Sequence, residues 1–290
     1  MQLEFAMKQF VLVLLFICAE QAFPASNAPF FYQVTFGGNT SYLLGTHHYG
    51  ISANELPEHV LHNLKSAQFL LLEADIEALG LMGRNSLEGD LSQLLTPNAW
   101  SFVVNHLGHK FSLAEIKRLT PWYASNLLGL VKMGYDLNNL KRMDYEILQI
   151  AQTLKTNTVF LASTQAHIRL YQLTQPLEGI EEMAQTLPTN AFRLETKLLL
   201  EAFRRGDEAE QIQSNDRLPP PARSIFIDER NLSWLPIIKT TMAKGRSFVA
   251  VGTSHLFGKV GLLNLLKQEG ATIERILDCE EVLNVIAPAL

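Results

Sequence analysis

Apolar residues in this chain fall into short unbroken runs, separated by longer stretches in which they recur at helical spacing. Phe31 to Phe36 and Thr40 to Leu44 have strand character on either side of Gly37-Gly38-Asn39, which predicts a hairpin. Behind Pro57, the spacing of Leu56, Val60 and Leu64 predicts a helix, with His59 and His62 off its apolar face as solvated residues. Phe69-Leu70-Leu71-Leu72 runs straight into Glu73, and Thr158-Val159-Phe160-Leu161 runs into Ala162-Ser163-Thr164. Continuous apolar runs of this length predict buried parallel strands. From Ile76 to Asn139 the pattern is helical, broken at Gly80, Gly83, Pro97, Gly108 and Pro121. Asp144 opens a helix with Ile147, Ala151 and Leu154 on one face. Another shows Ala191, Leu194, Leu198 and Ala202 on one face and stops at Gly206-Asp207. Leu218-Pro219-Pro220-Pro221 is a rigid break before a helical segment from Ile225 to Met242. Ser247 to Val251 then forms a strand ending in Gly252, a helix covers Leu262 to Leu266, and Thr272 to Leu277 is a last strand.

This alternation predicts one α/β domain over residues 29–290, with a largely parallel central sheet and helices on both faces. Helical segments at about 76–140 and 165–245 would cover the carboxyl ends of the strands, which is where open α/β sheets bind ligands.

The beginning of the chain changes the picture. Lys8 precedes an apolar run from Phe10 to Ala19, too short to span a bilayer, and small residues surround Ser26-Asn27-Ala28. Residues 1–28 therefore read as a signal peptide, which predicts an exported protein, periplasmic or extracellular, with no integral membrane span once it is removed. The 290 residues carry a formal charge of −5 and no basic block, which argues against nucleic acid as a partner. Of the two cysteines only Cys279 follows the leader, so an apolar core rather than disulfides must supply stability. A peptide or small-molecule substrate is the expected partner.

Candidate chemistry gathers where the predicted strands end. Gly-Thr-x-His occurs twice behind an apolar strand, as Gly45-Thr46-His47-His48 and as Gly252-Thr253-Ser254-His255. With Glu73, three strand ends deliver His48, His255 and a carboxylate, the smallest common ligand set for a catalytic transition metal with open positions. Glu73 is either a ligand or the general base. Strand alternation points His47 away from His48. The helix beginning near Val260 would turn its positive end toward this site. Rival motifs fail: Leu256 replaces the closing glycine of a nucleophile elbow, and Val260 stands where a phosphate loop needs Ser or Thr.

The chain resembles the TraB/GumN family, which includes the Tiki metalloproteases. The likeness rests on Gly45-Thr46-His47-His48, Leu56-Pro57, Leu72-Glu73, Asp144-Tyr145-Glu146, Gly206-Asp207, Arg230-Asn231 with Trp234, and Val251 to Gly258. It implies an EreA/ChaN-like architecture and peptide cleavage supported by a divalent ion (Mn, Co or Zn). His48, His255 and Glu73 would hold that ion, and Arg230 would be a charge partner in the site. The family's third strand-end carboxylate is Ala162 here, which implies either lost activity or the use of His167 in its place. Two other expectations stand beside the hydrolase: a haem- or metal-binding module of ChaN-like architecture, and a catalytically decayed scaffold that serves interactions.

Overall fold

A computed structural model describes residues 29–85, 89–186 and 190–277. The expected signal peptide, residues 1–28, and Cys279 lie outside them. The chain forms β1 (Phe31–Phe36), β2 (Asn39–Thr46), α1 (Glu58–Lys65), β3 (Phe69–Leu72), α2 (Ile76–Asn85), α3 (Pro97–Leu107), α4 (Leu113–Arg118), α5 (Pro121–Lys132), α6 (Met143–Leu154) and β4 (Asn157–Phe160). It continues through α7 (Thr164–Thr174), α8 (Leu177–Gln185), α9 (Asn190–Arg204), α10 (Glu208–Asp216), α11 (Pro220–Arg223), α12 (Glu229–Met242), β5 (Ser247–Gly252), α13 (Leu262–Gln268) and β6 (Thr272–Arg275).

The strands form one sheet in the order β4-β3-β5-β2-β1-β6. β4, β3, β5 and β2 run parallel, while β1 is antiparallel to both β2 and β6. The hairpin turns on Gly37 and Gly38, whose φ values of +58° and +80° are those a two-residue turn requires, and Asn39 already pairs with Phe36. β5, the last of the four parallel strands in chain order, lies between β2 and β3, with Gly252 beside Thr46 and Ala250 beside Leu72. That insertion brings three strand ends, remote in sequence, side by side.

All six positions of β5 are buried, as expected of a strand covered on both faces. Helix α6 packs on β3, and α12 packs on β2 and β5. The main core joins Phe31, Leu43, Leu71, Phe248, Val249 and Trp234. A second cluster, including Val103, Leu107, Ile116, Leu128 and Ile180, binds α3, α4, α5 and α8 into a helical layer of their own. Among the described residues, no helix is long and apolar enough to cross a membrane.

Four details depart from the sequence pattern. Leu194 and Leu198 are exposed, because α9 is anchored through its last turn, where Ala202 and Phe203 are buried. Leu154, at the end of α6, is also exposed. His59 is half-buried, its ring 5.7 Å from that of Phe31, because α1 rolls that edge onto the hairpin. β6 ends at Arg275 rather than Leu277, at the limit of its pairing with β1. The segment before Arg230 is widened into a π-turn over Ser224–Asp228, an irregularity often found beside functional residues.

Candidate functional site

Each side chain of the strand-end centre is fixed by a partner from another element. At the end of β2, buried Asp144 from the first turn of α6 receives the Thr46 hydroxyl on Oδ1 at 2.7 Å and meets His48 Nδ1 with Oδ2 at 2.8 Å. A carboxylate in a helix's first turn is also favoured by the helix dipole. At the end of β3, Glu73 accepts the Gly252 backbone N–H on Oε1 at 2.7 Å and Arg230 Nη2 on Oε2 at 2.6 Å. Beyond β5, His255 Nδ1 lies 2.7 Å from Asn231 Oδ1, while Asn231 Nδ2 donates to the carbonyls of His255 and Val260. Because Asn231 uses its Nδ2 as donor, its Oδ1 accepts, so His255 carries its proton on Nδ1 and leaves Nε2 bare.

The centre closes around Glu73. His48 Nε2 is 3.8 Å and His255 Nε2 is 3.7 Å from Glu73 Oε1. Arg230 Nη1 reaches to within 3.3 Å of His255 Nε2 and donates to the Phe226 carbonyl in the π-turn, while its guanidinium lies 4.4 Å from the centre of the Trp234 ring. Glycine is needed at 252: a Cβ there would stand 2.9 Å from His48 Nε2 and 3.2 Å from Glu73 Oε1.

Charge states follow from these partners. Burial opposes ionisation of Glu73, but Arg230 first, then the neighbouring imidazoles and the Gly252 N–H, hold its carboxyl well below the usual carboxylate range. Burial, reinforced by the positive charge of Arg230, lowers His255 to about 3, so it is neutral. Burial also acts against charge on His48, yet the Asp144 carboxylate, aided by Glu73, outweighs it and raises His48 to about 9. Half of the His48 side chain is open to a cavity, which softens the burial cost, so the upward direction stands. His47 is turned away, with Nδ1 donating to the Tyr49 carbonyl at 2.7 Å and its ring against Phe203.

The cavity, of about 490 Å³, lies between the strand ends and the helical layer. His48, Glu73 and Asp144 form its floor, and Trp122, Tyr123 and Tyr171 are among its aromatic walls. Its volume is that of a small-molecule site. His167 also lines it, held near 4 by burial and by Arg230.

The four residues singled out from sequence, His48, Glu73, Arg230 and His255, thus come together. Among the described residues no three His, Cys, Asp or Glu side chains stand ready in coordination geometry. The donor chemistry of His48, His255 and Glu73 nevertheless fits a divalent ion: an ionised carboxylate faces two imidazole Nε2 atoms, each ring oriented through Nδ1 by a partner of the kind metal-binding histidines have. Sequence reasoning missed Asp144 and Asn231 as the groups that orient the rings. The adjacency of Asn231 to Arg230 was a signal for one, whereas nothing local tied Asp144 to His48, 96 positions away. The helix after β5 starts at Leu262, and what reaches Glu73 from that turn is the Gly252 N–H.

The uncharacterized protein YbaP of Shigella flexneri is 27% identical over 248 residues, covering 81% of this chain and 91% of its own. The protein of the same name from Escherichia coli (strain K12) is 26% identical over the same span. No solved structure shows significant similarity. The family model described as TraB/PrgY/gumN matches residues 30–275, nearly all of the described fold, and the chain belongs to that family.

Proposed function

We propose that this chain is an exported hydrolase that cleaves an amide or ester carbonyl, with a peptide as its leading substrate class, at the centre formed by His48, Glu73, His255 and Arg230. One observation carries it: two rings, pinned through Nδ1 by Asp144 and Asn231, turn their Nε2 atoms to a single carboxylate oxygen at the floor of a cavity. His48, His255 and Glu73 would hold a divalent ion (Mn, Co or Zn), which polarises a carbonyl and lowers the pKa of bound water to roughly 7.

The protein's own groups do the rest. Asp144 and Asn231 fix ring orientation, so little reorganisation is needed when substrate arrives. Glu73 has both oxygens engaged and a depressed pKa, which suits it to hold negative charge and makes it a poor proton acceptor. Arg230 balances that charge and offers donors to charge developing on the substrate.

A second reading rests on the His48–Asp144 pair alone. An imidazole held at 2.8 Å by a buried carboxylate and half open to the cavity can pass a proton to a leaving group with no ion.

Metal analysis separates the two. The expected result is one ion per purified chain, lost in His48→Ala and His255→Ala and kept in His62→Ala, whose residue is exposed on α1. Peptide hydrolysis should vanish on chelation and return with the ion. Ion content unchanged in His255→Ala overturns the first reading, and hydrolysis that survives chelation selects the second. N-terminal sequencing of the exported protein should begin near residue 29; a retained leader sinks the export part.

A further inference from the structure

One wall of the cavity holds a polar group with no structural task. His167 on α7 is only 9% exposed, and its Nδ1 is covered and has no hydrogen-bond partner. Its other nitrogen makes no hydrogen bond to any described residue and faces the cavity that His167 lines with His48 and Glu73. A neutral imidazole has one N–H, and burying an orphaned N–H is the costlier choice, so the proton sits on Nε2, where a ligand can accept it. One helical turn on, the Tyr171 ring centre lies 5.0 Å away. Tyr171 stacks on Trp122 at 5.3 Å with the planes 2° apart. Neither the Tyr171 hydroxyl nor the Trp122 ring N–H bonds to a described residue. A phenyl ring in place of His167 would pack against these aromatics with no orphaned nitrogen. The imidazole therefore detracts from stability where it stands, as groups kept for binding commonly do.

We infer that His167 and the Tyr171–Trp122 stack form the subsite for an aromatic group of the substrate, with His167 donating its Nε2–H to the carbonyl oxygen next to that group. This rests on reading the cavity as the substrate site and names the class of substrate it takes: carbonyl compounds with a flat apolar group beside the carbonyl. Tyr171, partly open where Trp122 is buried behind it, supplies the aromatic contact, offset or edge-on.

The test is calorimetric binding to the full chain after chelation, with N-acetyl-L-phenylalaninamide and N-acetylglycinamide as probes. The phenylalanine probe should bind at least about tenfold more tightly than the glycine probe, and His167→Phe should weaken it about tenfold. His167→Gln, whose amide nitrogen can replace Nε2, should restore affinity to within about threefold. Without ligand, His167→Phe should melt at the same temperature as wild type or up to ~4 °C higher. No binding or no preference in wild type overturns the inference, and so does a lower melting temperature in His167→Phe with affinity unchanged. The same titration on His62→Ala, exposed on α1, should match wild type, and because binding is read on ion-free protein, a failure of hydrolysis and a failure of this subsite give different results.

Discussion

The two Gly-Thr-x-His turns share a motif and differ in almost everything the motif was expected to fix. At the first, His48 is half open to the cavity and its ring is held by a carboxylate, so it is charged at neutral pH. At the second, His255 is 3% exposed and its ring is held by an amide, so it is neutral. Even the register is offset, since Gly252 pairs with Thr46 rather than with Gly45. The same four letters thus supply, while no ion is bound, one protonated ring and one unprotonated Nε2 on either side of Glu73, and an ion taking His48 Nε2 would displace its proton. At the first ring the Asp144 carboxylate across from Nδ1 outweighs burial, and at the second burial and Arg230 keep the ring neutral beside an uncharged amide.

The largest contrast should come from the glycines. A Cβ at Gly45 would meet Leu256 Cδ1 and Thr253 Cγ2 at 2.7 Å each, both in the packed base of the second turn. Gly45→Ala should therefore destabilise by ~1–3 kcal/mol through overpacking. A Cβ at Gly252 meets the reactive edge of His48 instead, so Gly252→Ala should push that ring off its place, with a fall in hydrolysis of about 100-fold and little change in melting temperature. Melting curves and turnover of the two variants test the pair. Equal behaviour would show that the turns are interchangeable.

Exchanging the ring partners should have the next largest effect. In ion-free protein, Asp144→Asn should lower the His48 pKa by ~1–3 units, and Asn231→Asp should raise that of His255 by a similar amount. NMR titration of the imidazoles reads both shifts. Either variant should cost about 10- to 100-fold in ion affinity, as changes to groups that orient ligands do. If both pKa values hold still, burial rather than the partner sets these charge states.

How much of this was legible beforehand depended on distance along the chain. Apolar runs gave β3 residue for residue and β5 nearly so, because a strand buried on both faces leaves a continuous hydrophobic signature. Glu73 and His255 followed as the residues just beyond. Helix faces were less faithful: Leu194 and Leu198 have core periodicity but stay exposed, since periodicity says which side is apolar and not whether anything covers it. Asp144 looked like an ordinary acid opening a helix. Its role depends on β5 completing the sheet so that α6 and β2 meet at one end, and no local pattern encodes that. His167 was noticed only as a stand-in for a carboxylate missing at Ala162; its orphaned nitrogen is a fact of packing.

The smallest effect per residue, in acid, contrasts His48 with His47, His167 and His255. His47 and His167 are held near 4 and His255 near 3, all by burial. The unfolded chain takes up these protons near the ordinary 6.5, so the stability they contribute is present above that value and is lost as pH falls toward 4. Glu73, also depressed, adds its loss below the usual carboxylate range. His48, raised to about 9, works in the opposite sense: its contribution is complete below 6.5 and fades as pH climbs through 9. Three neutral rings should each cost roughly 1 kcal/mol between pH 6.5 and 5.5, which lowers the melting temperature by several degrees over that single unit. Replacing His167 by Phe should remove about a third of the acid loss, while replacing exposed His62 should leave it intact. A melting temperature that stays flat from pH 6.5 to 5.5 would mean that these rings are already open to water and protons in the folded protein, and the sealed character assigned to the second turn would fall with it.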